Sequence, residues 1–379
     1  MAILRCPACS AEAAASSREL VCSCGEPFDV EHAFRLVGRE TFDARGLHSP
    51  APQDSGVWRF RELVYPRFPS EAVISLREGN TPLYASAALR AFVGLEQVRL
   101  KHEGLNPTGS FADRGMTVAV SRAAANGARH LACASTGATA ASLAAYSAAA
   151  GLACTALVPS EGAQAAKLAQ ARAFGARTLV VRGDLERVRV LARELARSGA
   201  LELVDERNPF RIEGQKSIPF ELLAQLGWRA PDWIALPAEN HGNAIAFAKA
   251  LREARYLGLI DRLPRLLAAG TECAPASRSR SAERASRALA ETHGQAVDIS
   301  AEQLASAKRA IDHAGLGCDL PSAAGLAGAS ELVRRGRIGP EESVVVVLDS
   351  HLLAHGSDGA DSESALEPEL DVLRRALET

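Results

Sequence analysis

Four of the eight cysteines are spaced like the ligands of a metal ion. Cys6 and Cys9 form a C-x2-C pair, and after twelve intervening residues Cys22 and Cys24 form a C-x-C pair. Two such knuckles on short loops can close a tetrahedral thiolate site for zinc, and in a reducing cytoplasm a disulfide pair is the weaker interpretation. Because four thiolates leave no open coordination position, we expect structural zinc in a small N-terminal ribbon, with a metal-free remnant as the alternative.

The other residues suited to chemistry lie in turns that are rich in small and polar side chains. Each turn sits between an apolar run and a helical pattern, where a single serine or threonine is ordinarily a helix cap. In chain order these segments are EGNTPL (78–83), EGLNPTGSF (103–111), STGATAAS (135–142), NPFRIEGQKS (208–217), ENHGN (239–243) and LDSHLL (348–353).

Alternating strands and helices must bring these turns together. Apolar runs such as HLACAST, CTALVPS and ESVVVVLDS predict buried strands, and alanine-rich segments between such runs, including 113–127 and 242–256, have the helical period. The alternation predicts an α/β fold with parallel sheets covered on both faces. Binding sites in such folds gather where strands end and helices begin, which is where the polar turns lie. The polar stretch 274–286 is expected to be a surface loop.

Composition restricts the class of function. A chain of 379 residues, 47% of them hydrophobic, indicates a globular protein of two or three domains. Its formal net charge of -2 gives no reason to expect binding to nucleic acid or to an anionic membrane. Since the sequence has neither a long apolar run nor a signal-peptide pattern, we expect a cytoplasmic location.

The order of the motifs resembles that of the threonine synthases, fold-type II pyridoxal-phosphate enzymes that convert O-phosphohomoserine and water to threonine and phosphate. The resemblance covers nearly the whole chain and is carried by EGNTPL, K-x-E-G-x-N-P-T-G-S-F-x-D-R-G, S-T-G-x-T, N-P-F-R-x-E-G-Q-K and D-W-I-x-x-P. It implies two three-layer α/β domains with the active site in the cleft between them. The predicted units are a ribbon (1–35), a large domain (36–87 and 183–355), a small domain (88–182) and an acidic tail with a short helix (356–379).

Four positions depart from the family pattern, and the resemblance puts all four at the cofactor. Ala112 stands in place of the lysine of the internal aldimine, and a methyl group cannot form that Schiff base. Ala138 replaces an asparagine at the pyridoxal 3-hydroxyl, Glu239 replaces a glycine of the phosphate loop, and Asp349 replaces a threonine at the pyridine nitrogen. Of these changes only the last is tolerable, since a carboxylate also pairs with a pyridinium. The implied cofactor positions are Phe111, Ala138, Glu239, Asn240, His241, Gly242, Asn243 and Asp349.

None of the five lysines is an evident substitute for the missing one. Lys101 and Lys216 belong to family motifs and have places of their own. The other three, Lys167, Lys249 and Lys308, fall in helical segments and are expected on solvated helix faces.

Other family positions are intact. The resemblance puts Ser135, Thr136, Thr139 and Arg211 on the wall that binds the substrate and its phosphate, so an anion site is expected to survive. Helix capping and a structural ion pair would also account for these residues. Glu239 and Asp349, with His241 and His351, could in addition form a cluster of acids and imidazoles that binds a cation or moves protons.

Three functions remain open. The first is a threonine-synthase-like protein that has lost pyridoxal-phosphate binding and threonine synthesis and acts as a binding, scaffold or regulatory partner. The second is a repurposed enzyme that uses the same cleft without the cofactor, and the third is a genuine threonine synthase carrying an introduced lysine-to-alanine change at Ala112. A single introduced change would leave Ala138 and Glu239 unexplained. We therefore expect no covalently bound pyridoxal phosphate, a small or anionic ligand in the cleft, and a protein partner or a second copy of the chain.

Overall fold

Strands and helices alternate along most of the chain, as the sequence predicts. The computed structural model describes residues 2–199, 201–273, 279–354, 367 and 369–378. The strands are β1 (Ile3–Arg5), β2 (Glu12–Ala14), β3 (Asp29–Glu31), β4 (Leu83–Tyr84), β5 (Val98–His102), β6 (His130–Ala134), β7 (Ala153–Pro159), β8 (Arg177–Val181), β9 (Glu202–Leu203), β10 (Trp233–Pro237), β11 (Arg265–Gly270), β12 (Gln295–Asp298) and β13 (Val344–Leu348). The helices are α1 (Arg39–Asp43), α2 (Arg61–Val64), α3 (Ala87–Val93), α4 (Ala112–Ala125), α5 (Ala138–Ala149), α6 (Ala165–Ala173), α7 (Leu185–Arg197), α8 (Pro209–Gln215), α9 (Ser217–Gln225), α10 (His241–Tyr256), α11 (Arg280–Glu291), α12 (Ala301–His313), α13 (Ala324–Arg334) and α14 (Leu370–Glu378).

The described strands form three sheets. An antiparallel ribbon sheet has the order β2-β1-β3, and a large sheet has the order β12-β11-β10-β13-β5-β4. The large sheet is parallel except for the short edge strand β4, and the small sheet, of order β8-β7-β6-β9, is parallel throughout. The predicted α/β class, with two parallel sheets and an N-terminal cysteine ribbon, is confirmed.

Strand pairing divides the chain at different points from the predicted boundaries. Strand β5, which the boundaries 88–182 would include in the small domain, pairs with β13 and lies in the large sheet. Strand β9, beyond residue 182, pairs with β6 of the small sheet. Parallel partners are distant in sequence, so the pattern within each segment reveals a strand but not the sheet that it joins.

The ribbon is docked on the body of the protein. Leu4, Phe28 and Val30 are buried in the same apolar core as helices of the main fold. Lys249 of α10 donates a hydrogen bond to the backbone oxygen of Val30 at 2.6 Å. Nε2 of His32, just after β3, lies 2.6 Å from a carboxylate oxygen of Glu213 in α8. The N-terminal segment is therefore held by polar contacts as well as by packing.

Helices α4 and α8 cross at close range, and this crossing positions the site. A Cβ atom added at Gly214 would lie 1.9 Å from the backbone oxygen of Arg114, so only glycine allows the two backbones to approach so closely. Ala112 begins α4 and Arg211 lies on α8, so the crossing fixes these two residues relative to each other.

The tail helix packs on the small sheet's outer layer. Leu373 of α14 is buried in a cluster with Val188 and Leu191 of α7. Most of the predicted acidic stretch lies outside the described residues. Among the helices that the structure describes, none combines the length and the apolar character needed to cross a bilayer.

Candidate functional site

A cleft of about 740 Å³ opens at the carboxyl ends of β6, β10 and β13. It brings together nearly all of the residues that the sequence singled out, although they come from five separate segments. Those lining it are Phe111, Ala112, Ser135, Thr136, Ala138, Thr139, Arg211, Glu239, Asn240, His241, Gly242 and Asp349. Asn243 lies behind this surface, fully buried, and reaches the site through a hydrogen bond to Asp349.

Ala112 is held in a rigid setting at the start of α4. The backbone N–H of Phe111 donates to the backbone oxygen of Asp349 at 2.9 Å, which ties the loop to the end of β13. Asp113 accepts hydrogen bonds from the backbone N–H and the hydroxyl of Thr108, both at 2.7 Å, and from Ser142 at 2.5 Å. Burial raises the pKa of Asp113 to about 6. The start of α4 therefore places a nearly buried methyl group, 1% exposed, at the lining of the cleft.

A buried network of charges lies on the other side of the same loop. Arg114 binds Glu103 at 2.7 Å and Glu221 at 2.9 Å. Lys101 uses all three of its protons, because its Nζ contacts Glu221 at 2.5 Å, the backbone oxygen of Thr81 at 2.6 Å and Gln225 at 2.9 Å. An amine held by these three acceptors is not available to a ligand in the cleft.

No lysine lines the cleft, and all five lysines are among the described residues. The expectation that Lys167 and Lys249 lie on solvated helix faces is wrong, since both are buried. Lys167 donates to the backbone oxygen of Thr108 and Lys249 to Glu213, each at 2.5 Å. The cleft thus offers no amine for a Schiff base.

One end of the cleft is acidic. Asp349 is 3% exposed and accepts hydrogen bonds from the amide groups of Asn240 and Asn243, the second at 2.8 Å. Burial raises its pKa well above the usual range, so this carboxyl group resists ionisation. Glu239 precedes α10 and is exposed to solvent, yet the surrounding protein atoms and the negative charge of Asp319 raise its pKa as well.

The opposite wall carries arginines. Arg211 is 7% exposed, and its guanidinium has one weak hydrogen bond, to the hydroxyl of Thr139 at 3.4 Å. Among the described residues it has no carboxylate within ion-pair distance, and its buried Nε has no acceptor. Burial lowers its pKa, whereas the nearby charges of Glu206 and Asp205 raise it. A buried guanidinium with unused donors is suited to an anionic ligand.

Sequence reasoning missed several charged residues of the cleft. Arg189, Arg193 and Arg207 line it and form ion pairs with Asp205 or Glu206. The four-residue spacing of Arg189 and Arg193 on α7 puts them on one helix face, which is the only signal for them in the sequence. Asp319, Gln164 and Gln215 also line the cleft without having been singled out.

The proposed cluster of acids and imidazoles does not have the geometry of a metal site. Glu239, His241 and Asp349 share the cleft, but His351 lies outside it, with its ring 5.9 Å from that of His102. Within the described residues, the one group of His, Cys, Asp or Glu side chains close enough to share a metal ion is the set of four cysteines.

The four cysteines have the geometry expected of zinc ligands. Their sulfur atoms all lie within 4.8 Å of one another, with Cys6 3.5 Å from Cys24 and Cys9 3.5 Å from Cys22. Four sulfurs at about 2.3 Å from a tetrahedral zinc would be about 3.8 Å apart. Gly25, in the left-handed region at φ +88°, forms the second knuckle. The donor set therefore fits structural zinc.

Known proteins resemble this chain along its whole length. Residues 74–350 match the family model of pyridoxal-phosphate-dependent enzymes. The chain is 34% identical to a threonine synthase of Methanosarcina acetivorans, over 99% of this chain and 98% of that one. It is 33% identical to a threonine synthase of Methanocaldococcus jannaschii, over 94% of each. The solved structure of maize serine racemase has the same fold, with a TM-score of 0.62 and 17% identity, over 85% of this chain and 97% of that one.

Proposed function

Because this chain belongs to the threonine synthase family of pyridoxal-phosphate-dependent enzymes, we propose that it is a member that no longer binds the cofactor covalently and no longer makes threonine. In this proposal the protein keeps an anion-binding cleft and acts in the cytoplasm as a binding, scaffold or regulatory partner, with structural zinc in its ribbon. The observation that carries the proposal is the absence of any lysine from the lining of the cleft, all five lysines being described.

The missing amine supports the proposal most directly. Bound pyridoxal phosphate would supply an electron sink for chemistry on an amino acid, but it must be held and exchanged through a lysine. Ala112 occupies the start of α4 beside the end of β13, the position that the family motif gives to that lysine. Lys101 is the lysine closest to Ala112 in sequence, and its ammonium group already donates three hydrogen bonds, to Thr81, Glu221 and Gln225.

Two further changes weaken non-covalent docking of the cofactor. Glu239 brings a carboxylate to the amino end of α10, where the family motif implies the cofactor phosphate, and like charges a few ångström apart repel each other. The oxygens of Asp349 are already occupied by Asn240 and Asn243, and the raised pKa of this carboxyl group opposes the ionised form that would pair with a pyridinium. The cleft residues therefore do not fit the cofactor.

The retained residues support binding of an anion. Arg211 is buried with unused donors, and the hydroxyls of Ser135, Thr136 and Thr139 line the same cleft around the start of α5. A phosphate or carboxylate could satisfy the guanidinium, which has no carboxylate partner among the described residues. We propose a small anionic molecule as the ligand of this wall.

A repurposed enzyme that works without the cofactor is the second candidate. What favours it is Asp349, a buried carboxyl group with a raised pKa that lines the cleft and could donate a proton to a substrate. A genuine threonine synthase with an introduced change at Ala112 is the third, and it makes the opposite prediction about restoring the lysine.

Adding pyridoxal phosphate to the purified protein tests the proposal. We expect no internal-aldimine absorption band, no pyridoxyl adduct after borohydride reduction and no phosphate release from O-phosphohomoserine above background. Ala112→Lys alone should not restore threonine synthesis, because Ala138 and Glu239 would still weaken cofactor docking.

The matched control is the quadruple variant Ala112→Lys, Ala138→Asn, Glu239→Gly, Asp349→Thr, which returns all four changed positions to the family pattern. We expect it to form the aldimine band, which shows that the fold still accepts the cofactor. A trapped adduct in the wild-type protein, or turnover of O-phosphohomoserine by the single variant at a rate typical of an enzyme, would refute the proposed loss.

A further inference from the structure

The cysteine ribbon forms part of the wall of the cleft. Gly25, between Cys24 and Glu26, lines the same cavity as Ala112 and Arg211. Beside it lies the start of α11, where Ser279, Arg280 and Ser281 also line the cavity. The ribbon therefore contributes to the wall of the cleft in addition to folding the N-terminal segment.

Glu26 connects the second knuckle to this part of the cleft wall. Its side chain is 2% exposed and contacts Arg280 at 3.0 Å, Arg287 at 3.5 Å and Arg284 at 4.0 Å. The backbone oxygen of Glu26 accepts a hydrogen bond from the backbone N–H of Cys22 at 2.8 Å, so the knuckle fixes the backbone from which the carboxylate extends. Of the three arginines, Arg280 alone is among the residues that line the cleft.

Arg280 is placed to meet a ligand. Its side chain is 52% exposed, and among the described residues its guanidinium pairs with Glu26 alone, which leaves donors for a ligand. A Cβ atom added at Gly25 would lie 3.8 Å from Nη2 of Arg280, so this guanidinium is the group that a side chain at Gly25 would meet. A cation in this position adds to the positive charge of Arg211 elsewhere in the cleft.

We propose that Glu26 is a positioning residue through which metal binding at the four cysteines sets the affinity of the cleft for anions. Metal–thiolate bonds hold the knuckle of residues 22–26, the knuckle holds the carboxylate of Glu26, and the carboxylate holds Arg280 in the cleft wall. By reciprocity, an anionic ligand strengthens metal binding by the same factor. The inference uses the anion-binding cleft of the proposed function but does not depend on the loss of the cofactor.

Calorimetric titration of the full chain with O-phosphohomoserine, and separately with inorganic phosphate, tests the coupling. We expect about one zinc ion per chain, and removal of that zinc with a chelator should weaken binding about fivefold. In zinc-loaded protein, Arg280→Gln should weaken binding by a similar factor, and chelation should then cause little further loss. Arg287→Gln is the matched control, because Arg287 contacts the same carboxylate but does not line the cleft. It should bind the ligand within about twofold of wild type and keep the response to chelation.

Glu26→Gln separates this coupling from a loss of fold. The variant keeps all four cysteines, so it should retain zinc while binding anions about as weakly as Arg280→Gln. The inference is overturned if Arg280→Gln binds like wild type, if chelation weakens that variant as much as wild type, or if zinc-loaded wild type binds neither probe. A borohydride-trapped cofactor adduct would refute the proposed function and leave this coupling intact, so the two failures can be told apart.

Discussion

The two sides of the segment 103–115 contrast sharply. On the side away from the cleft, Glu103, Asn106, Asp113 and Arg114 keep the family motif, and their buried polar groups are paired. On the cleft side, Ala112 stands where the motif implies the reactive lysine. The same few residues thus retain the family's scaffold and lack its chemistry.

Energetics accounts for the difference. Removing one partner from a buried charge network leaves the others uncompensated, which costs several kcal/mol. A small side chain at the cleft lining that makes no hydrogen bond or ion pair can change at a lower cost to folding. The contrast teaches that a motif match establishes the fold through the residues that hold it together, whereas activity must be judged from the residues that face the ligand.

The largest expected effect comes from breaking the scaffold side. Arg114→Met would leave Glu103 and Glu221 buried without their guanidinium, and we expect the free energy of unfolding to fall by about 3–5 kcal/mol. Ala138→Asn, a cleft change that returns the family residue, should alter it by about 1 kcal/mol or less. Urea denaturation measures both values. Similar losses in the two variants would show that the two sides do not differ in this way.

A second effect, on the same side, depends on pH. Burial raises the pKa of Asp113 to about 6 in the folded protein, above its value in an unfolded chain, so the folded form binds the proton more tightly. Stability from this group is therefore present at low pH and is lost as pH rises from about 4 to about 6. Relative to Asp113→Asn, we expect the free energy of unfolding of wild type to fall by about 2–3 kcal/mol over that range and to change little at higher pH.

The Asp113 comparison is measured by urea denaturation at several pH values from 4 to 8. The difference between wild type and variant isolates Asp113, because other titrating groups are common to both proteins. A difference that stays constant across this range would mean that the folded environment does not disfavour the carboxylate.

The fold was largely predictable because its elements have strong local patterns. The run ESVVVVLDS became β13, and the segment predicted as a helix over 242–256 became α10. Pairing was not predictable, since β5 joins β13 across more than two hundred residues of sequence. Residues 274–278 of the expected loop 274–286 lie outside the described residues, and most of the remainder belongs to helix α11. The sequence did not reveal this helix because its buried face consists of alanines, which give a weak apolar signal.

The site was predictable only as far as its motifs reach. The turn residues could be assembled in advance because parallel strands end at one edge of a sheet. Arg189, Arg193 and Asp319 enter the cleft from segments with no motif, and the four-residue spacing of the two arginines shows that they share a helix face but not that this face meets the cleft. Likewise, the buried Lys167 donates a hydrogen bond to the backbone oxygen of Thr108, in a loop distant in sequence. Helical periodicity alone cannot reveal such a partner.

The smallest expected effect sharpens the cleft side of the comparison. Glu239 is exposed just before α10, whose first backbone N–H groups would otherwise favour an anion. Glu239→Gly removes the negative charge, and we expect the affinity for inorganic phosphate at pH 8 to rise about fivefold, which corresponds to about 1 kcal/mol. Stability should change by no more than about 1 kcal/mol, because Glu239 makes no hydrogen bond or ion pair among the described residues.

Glu239→Gln separates charge from size in this experiment. It keeps the length of the side chain and removes the charge, so it should raise phosphate affinity nearly as much as the glycine variant does. A gain with glycine alone would assign the effect to space or to backbone freedom, and no gain with either variant would show that Glu239 does not oppose anions. Because protonation neutralises Glu239 as pH falls, the higher anion affinity of both variants relative to wild type should shrink toward acidic pH. Titration with sulfate measures this trend, since sulfate stays dianionic over that range and its own charge does not change.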